Sequence, residues 1–553
     1  MSPHPYTEDQ LVEQPAIGLL AELGWTTVNA FDEVLGLEGT FGRETRSDVV
    51  LGAQLRAALT RLNPDVPPEG ITAAIDLLIA DRSAMSLVSA NREVYLLLKE
   101  GVPVSLPDPE RGGQRTLRVR IIDWQNVANN DFLCVSQFTI TGSLYTCRLD
   151  VVGFVNGLPL MVIELKKPGV PAKQAFDENI TSYKHEQNGV PPLFWYSAFV
   201  IVSNGTESRV GSLTADWERF FEWKRVERED EPRRVSLEVM LRGVGEPSRL
   251  LDLVENFALF SEHKTGYVKI LAQNHQFLGV NNAIASMLQA RSAGHGRAGV
   301  FWQTQGSGKS LSMVFFAQKV LRRVPGNWTF VIVTDRVELD HQIARTFKET
   351  GAVSDADSKS CHAGSGAHLR QLLTENHRYV FTLIHKFQTP ELLCDRRDVV
   401  VLTDEAHRSQ YDTLALNMRS ALPNALFIAF TGTPLIVGEE RTREVFGDYV
   451  SIYDFQQSVE DGATVRLFYE NRTLELRLKN PTFNDDIYAL IEAAELDEAQ
   501  EQRLERELGR QYHLITRDDR LDAIAKDIVQ HFLGRGFQGK AMVVSIDKVT
   551  GKQ

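Results

Sequence analysis

The spacing of apolar residues changes along the chain, and each change predicts a different kind of element. Apolar residues at 11, 12, 16, 17, 19, 20 and 23 fall on one face of a helix. Segments 55–62 and 71–79 repeat that pattern, so residues 1–95 predict mostly helix. From Leu117 the pattern shortens to strands, with 119–122, 132–140 and 149–155 rich in β-branched and aromatic residues. Asn156-Gly157 predicts a hairpin turn, returning along Leu158–Leu165. Residues 171–183 predict a helix, and 193–202 another apolar strand.

The segment 220–232 alternates charges of both signs, which predicts a solvated helix face; a basic DNA-contacting patch is the competing reading. Gly243, Gly245 and Pro247 interrupt 239–247 and predict a domain boundary there. Segments 250–260 and 284–288 predict helices, and 290–297 a flexible lead-in. Beyond them, 329–334, 379–384, 399–403 and 426–431 are short, almost continuously apolar runs between helical stretches. That is the signature of strands buried on both faces, hence of a doubly wound parallel α/β domain.

Composition adds limits. The 553 residues leave room for about three or four domains at ~150 residues each. A net charge of −13 argues against coating nucleic acid by bulk electrostatics, while leaving open a channel lined locally by Lys and Arg. The four cysteines form no C-x-x-C pair, so neither a zinc site nor a disulfide framework is indicated. No long apolar run predicts a membrane span, and the polar start lacks the features of a signal peptide. The expected location is cytoplasmic.

The chemistry begins after the apolar run 298–302, in the loop Gln303-Thr-Gln-Gly-Ser-Gly-Lys-Ser310, which leads into an apolar helical stretch. Gly306, Ser307 and Gly308 let backbone N–H groups curl around a phosphate, Lys309 can reach the β- and γ-phosphates, and the Ser310 hydroxyl can ligate Mg²⁺. The full pattern wants glycine at position 303, where this chain has Gln303. In a parallel sheet, ligands sit beyond the carboxyl ends of the strands, so polar residues just after the strands matter most. Asp404 ends one strand and can hold Mg²⁺, and Glu405 can activate the water that attacks the γ-phosphate. Thr431-Gly-Thr-Pro434 ends the next strand with hydroxyls suited to relaying a change of state. Arg336 is a candidate contact to a nucleic-acid backbone.

The hairpin carries a second constellation. Asp150 starts one strand, while Glu164 and Lys166, two residues apart, share a face of its partner. Two converging carboxylates make a hard oxygen site for Mg²⁺, and a lysine beside them can orient the attacking water. Glu13 is a candidate further metal ligand from the first helix, with Glu8 the competing choice; acids that merely favour a helix start are the alternative to both.

Leu149-Asp150 … Glu164-Leu-Lys166 resembles PD-(D/E)xK nucleases, with Leu149 in place of the family's proline. Asn179 and Tyr183 stand at the spacing of the Q-x-x-x-Y element of some such nucleases, with asparagine for glutamine. The ordered set of phosphate loop, D-E-A-H and T-G-T-P resembles superfamily 2 helicases and translocases. In detail, W-Q-T-Q-G-S-G-K-S-L-S-M, T-D-R-V-E-L-D-H-Q, D-E-A-H-R-S-Q and F-T-G-T-P-L are similar to the motor and endonuclease (R) subunit of type I restriction–modification enzymes.

The resemblance implies a PD-(D/E)xK nuclease domain over 1–245, a first RecA-like motor domain over 246–450, and the start of an incomplete second RecA-like lobe over 451–553. It further implies ATP and Mg²⁺ as cofactors, Gln276 as an adenine reader (a surface polar residue being the competing reading), and double-stranded DNA as substrate. Methyltransferase (M) and specificity (S) subunits are the implied partners, with no membrane. A stand-alone helicase–nuclease of DNA repair or phage defence is the alternative, and a DNA-binding scaffold a third reading. Helix 521–532 and strand 540–545 are expected in the second lobe. Its later motifs lie outside the sequence, so the chain is expected to be a truncated subunit that binds ATP without translocating.

Overall fold

The strand pattern after Leu117 closes into one sheet of the N-terminal domain. Its strands are β1 (Thr26–Asn29), β4 (Phe132–Thr141), β5 (Thr146–Val155), β6 (Leu158–Leu165), β7 (Phe199–Ser203) and β8 (Ser208–Gly211), while β2 (Val102–Pro107) and β3 (Gln114–Val119) form a separate hairpin. The sheet order is β1-β4-β5-β6-β7-β8, parallel at β1/β4 and β6/β7 and antiparallel elsewhere. The computed structural model describes residues 7–36, 38–107, 113–354, 360–375, 377–404, 411–433, 440–472, 516–536 and 539–546.

The β5–β6 turn follows the sequence closely. Asn156 and Gly157 both take left-handed backbone, at φ 50° and 81°, as a two-residue hairpin requires. Asn156 is fully buried, and its amide donates to Ile121 O and Asn130 Oδ1, which pins the turn. Every residue of β6 is buried, so the strand is central and its register is strongly specified.

Four stretches before residue 261 differ from the expectation. Residues 193–202 are helix Pro191–Tyr196 followed by β7; an apolar run does not itself distinguish a buried helix from a buried strand. Likewise 250–260 divides into helix Pro247–Asn256 and β9 (Ala258–His263), which pairs with β10 (Gly266–Leu271). The charged segment 220–232 is largely non-helical, and within it Phe220 and Trp223 are buried. The stretch 239–247 is no exposed linker: 237–245 is helical and mostly buried. A Cβ at Gly243 would lie 2.2 Å from the Trp223 ring, and Gly245 O accepts the Trp25 indole N–H at 2.8 Å. These glycines serve close packing rather than flexibility.

The second sheet is wholly parallel. It comprises β11 (Arg297–Gln303), β12 (Thr329–Thr334), β13 (Tyr379–Leu383), β14 (Val399–Asp404), β15 (Leu426–Thr431) and β16 (Tyr449–Tyr453), in the order β13-β12-β14-β15-β11-β16. Helices Lys309–Arg323, Val337–Glu349 and Tyr411–Ala421 lie within the crossovers that parallel neighbours need. The central strands are buried on both faces, at about 1.5–3 kcal/mol for each large apolar side chain. Helix Asn274–Ala293 covers 284–288 and runs into the expected lead-in, ending at Gly294 in left-handed conformation.

The compact unit runs from Met1 to Val465, and one continuous core joins the two sheets' surroundings, including Phe257 against Phe277 and Phe315. β16 is an edge strand of the parallel sheet, so that sheet continues past the boundary expected at residue 450. The second unit, Arg466–Gln553, contains helix Asp518–Gly534, whose Asp527 takes both Nε and Nη2 of Arg472. Residues 540–545, expected as a strand, are exposed and lie in neither strand nor helix. Among the described residues, no helix is long and apolar enough to cross a membrane.

Candidate functional site

Two groups of polar side chains sit on central strands or in the segments just after them. In the N-terminal domain, Asp150 lies midway along β5 and Glu164 near the end of β6, with Lys166 just beyond. Asp150 Oδ2 accepts the Leu165 N–H at 2.7 Å, which fixes it against the neighbouring strand. Glu164 is 1% exposed, and its Oε1 has no hydrogen-bond partner. Burial, reinforced by the Asp150 charge, pushes the Glu164 carboxyl well up. Asp150 is also raised by burial, against the opposing pull of its bond from Leu165 and of Lys166. An orphaned buried carboxylate oxygen beside a second carboxylate is costly unless a proton or cation joins it, so the pair fits a divalent metal.

Lys166 is aimed by the following helical segment. Its Nζ donates to Asn179 Oδ1 at 2.9 Å, and Asn179 Nδ2 donates to the Tyr183 hydroxyl at 3.0 Å. The asparagine thus links Lys166 to Tyr183 despite being one methylene shorter than glutamine.

Glu13 is 5% exposed and close enough to Asp150 to feel its charge. Burial pushes its carboxyl up to about 7. Both of its oxygens accept from Gln137 Nε2, each at 2.9 Å, so its lone pairs are partly committed within the protein. Glu8 is likewise raised, by burial and then by Asp150. Among the described residues, no three His, Cys, Asp or Glu side chains converge at metal-holding distance. Gln137 was not legible in the sequence. It stands in β4 at φ 56°, an uncommon conformation for a non-glycine residue.

In the parallel-sheet domain, the loop after β11 carries Gly306 and Gly308 at φ 83° and 86°. Ser307 Oγ donates to Thr304 O at 2.6 Å, closing the loop on itself. Gln303, standing where the pattern wants glycine, is fully buried beneath it and accepts Ser312 Oγ at 3.1 Å. Helix Lys309–Arg323 then places Lys309 and Ser310 in its first turn. Lys309 Nζ lies 2.7 Å from Asp404 Oδ1 at the end of β14, so two distant predicted residues meet. Glu405, His407 and Pro434 lie outside the described residues.

Gln276, the expected adenine reader, stands beside the loop. Its Oε1 accepts the Gln273 N–H at 3.0 Å and its Nε2 donates to Gly308 O at 3.2 Å, so both ends of the amide are engaged by backbone. A cavity of about 960 Å³ adjoins Gly306–Gly308 and also reaches Gln273, Trp217 and Lys269.

Residues 5–219 match the family described as Type I restriction enzyme R protein N terminus, and residues 275–502 match the SWI2/SNF2 ATPase family. The HindI type I restriction enzyme endonuclease subunit of Haemophilus influenzae is 38% identical, over 96% of this chain and 52% of its own length. MjaIXP of Methanocaldococcus jannaschii, assigned to the same kind of subunit, is 31% identical over 98% of this chain and 54% of its own. The chain thus spans about half the length of these curated relatives. A DNA-bound Type ISP restriction-modification enzyme, LlaBIII, aligns at 14% identity over 36% of this chain and 16% of its own, with a TM-score of 0.27, too low to add weight. The chain is a homologue of the endonuclease (R) subunits of type I restriction enzymes, joining their N-terminal region to a helicase-like, RecA-type α/β ATPase region.

Proposed function

We propose that the chain is the ATP-dependent DNA translocase and endonuclease subunit of a type I restriction–modification complex, acting on double-stranded DNA with M and S subunits as partners. Its N-terminal domain is read as a PD-(D/E)xK nuclease, and the residues from Arg466 onward as part of a second RecA-like lobe. The observation that carries this is the presence of both constellations in one compact unit. The Asp150–Glu164 pair has Lys166 held beside it, and the phosphate loop has its lysine on Asp404. Continuation of the SWI2/SNF2 match to residue 502 supports the second-lobe reading.

In the nuclease, Asp150 and Glu164 would hold Mg²⁺, which supplies charge stabilisation at the scissile phosphate. Lys166, restrained by Asn179, is placed to orient water and offset developing negative charge. In the motor, Lys309, which lies 2.7 Å from Asp404, would be the residue to meet the β- and γ-phosphates of a bound ATP. Asp404 and Ser310 would then hold Mg²⁺, and Glu405 serves as the base.

The test is cleavage of plasmid DNA and DNA-stimulated ATP turnover by the chain, alone and with M and S subunits. Lys166→Ala is expected to abolish cleavage while sparing ATP turnover, and Lys309→Ala to abolish turnover. Equal cleavage by wild type and Lys166→Ala would sink the nuclease assignment. Full activity without any M or S subunit would favour a stand-alone helicase–nuclease.

A further inference from the structure

His275 and Gln276 are consecutive residues in the first turn of helix Asn274–Ala293, and their side chains reach consecutive carbonyls of the phosphate loop. His275 Nε2 lies 3.1 Å from Ser307 O, and Gln276 Nε2 lies 3.2 Å from Gly308 O. A trans peptide is planar, so each N–H points opposite to the carbonyl preceding it. Drawing the Ser307 and Gly308 carbonyls toward the helix therefore turns the N–H groups of Gly308 and Lys309 to the other side, where a phosphate would lie. The approach is tight: a Cβ on Gly308 would fall 2.7 Å from Gln276 Nε2.

The His275 ring is itself held from behind. It stacks on Tyr453 with centroids 3.7 Å apart and planes 8° from parallel. Tyr453 O accepts the Thr304 N–H at 3.0 Å, and its hydroxyl donates to Asp461 Oδ2 at 2.9 Å. Asp461 is ion-paired with Lys224, at 2.6 Å, and with Arg233, both on the segment that follows the N-terminal sheet. Burial lowers the imidazole to about 4, so near neutral pH it is uncharged and its Nε2–H donates to the carbonyl.

We propose that His275 and Gln276 are positioning residues that orient the backbone donors of the phosphate loop toward a nucleotide's phosphates, with Tyr453 and Asp461 fixing the His275 ring. This rests on reading the loop as a nucleoside-triphosphate site. It assigns Gln276 to the loop backbone, and it ties the loop to the segment carrying Lys224 and Arg233.

The experiment is titration of the full chain with a fluorescent N-methylanthraniloyl ATP and Mg²⁺, alongside thermal melts. His275→Ala is expected to weaken binding about tenfold, the scale of one lost buried hydrogen bond. His275→Gln, whose amide can donate to the same carbonyl, should recover most of that loss. Tyr453→Phe keeps the stacked ring, removes the hydroxyl's links to Asp461 and Ser458, and is expected to weaken binding about threefold; it serves as the folded variant if His275→Ala fails to fold. Wild-type affinity in both His275→Ala and Tyr453→Phe, with binding lost in Lys309→Ala, would overturn the inference alone. So would a His275→Gln variant as weak as His275→Ala. Binding unaffected by Lys309→Ala would remove the nucleotide-site reading, and the inference with it.

Discussion

The ammonium of Lys166 donates to the side-chain carbonyl of Asn179 at 2.9 Å, across the junction between a buried strand and the helical segment that follows it. A lysine stem is otherwise free to sample many rotamers, and this bond, backed by Tyr183, narrows them. Asn179→Ala is expected to lower Mg²⁺-dependent DNA nicking about tenfold while changing stability by only about 1 kcal/mol. Tyr183→Phe should act in the same direction and more weakly. Nicking rates and denaturant melts on the same preparations check both.

Glu13 gives a pH signature. Its carboxyl is raised from 4.5 to about 7, chiefly by burial, against the hydrogen bond from Gln137 and with repulsion from Asp150, Asp9 and Glu8. A folded pKa above the unfolded one means that the folded state binds the proton more tightly. The stability contributed by this group is therefore complete below about pH 4.5 and is lost as pH rises through about 7. In chelator, wild type should lose thermal stability across that window, and Glu13→Gln should flatten the slope. Parallel slopes in the two proteins would refute the assignment.

The Lys309–Asp404 pair is largely buried, with side-chain exposures of 15% and 5%. Removing one member of such a largely buried pair costs about 3 kcal/mol. Lys309→Ala should therefore lower the melting temperature of the nucleotide-free chain as well as weaken nucleotide binding. The double variant Lys309→Ala/Asp404→Asn should recover much of the stability and none of the binding. Melting curves beside nucleotide titrations separate the two effects.

Lys269 is fully enclosed, donating to Asn91 Oδ1 at 2.9 Å and Ser197 O at 2.8 Å, and burial lowers its amine to about 7. Its folded pKa is depressed, so its contribution to stability is complete above the ordinary lysine value of 10.5 and is lost as pH falls through about 7. Lys269→Met forfeits two hydrogen bonds but has no charge to bury. It should be clearly less stable than wild type at high pH, with the gap narrowing near pH 6. A gap independent of pH in denaturant melts would contradict this.

The sequence by itself determined the elements whose signal is local. β6, β12 and β15 were legible to the residue because each is a continuous apolar run buried on both faces. The β5–β6 turn followed from Asn-Gly chemistry, and the phosphate loop from the backbone freedom of Gly306 and Gly308. Asp404 stood out because strand ends in parallel sheets are where ligands sit, Lys309 because it follows the glycine loop, and Asp150, Glu164 and Lys166 because the hairpin sets them together on paired strands.

Only the tertiary structure decided matters that depend on what a segment packs against. It divided 193–202 into a helix and a strand, and it turned the glycines of 237–245 from breakers into packing devices under Trp223 and Trp25. It placed the left-handed Gln137 on Glu13, and it joined His275 to Tyr453, 178 positions later in the chain. Such contacts join residues far apart in sequence, so no local periodicity announces them. They exist because a buried polar group must find a partner wherever the fold brings one within reach.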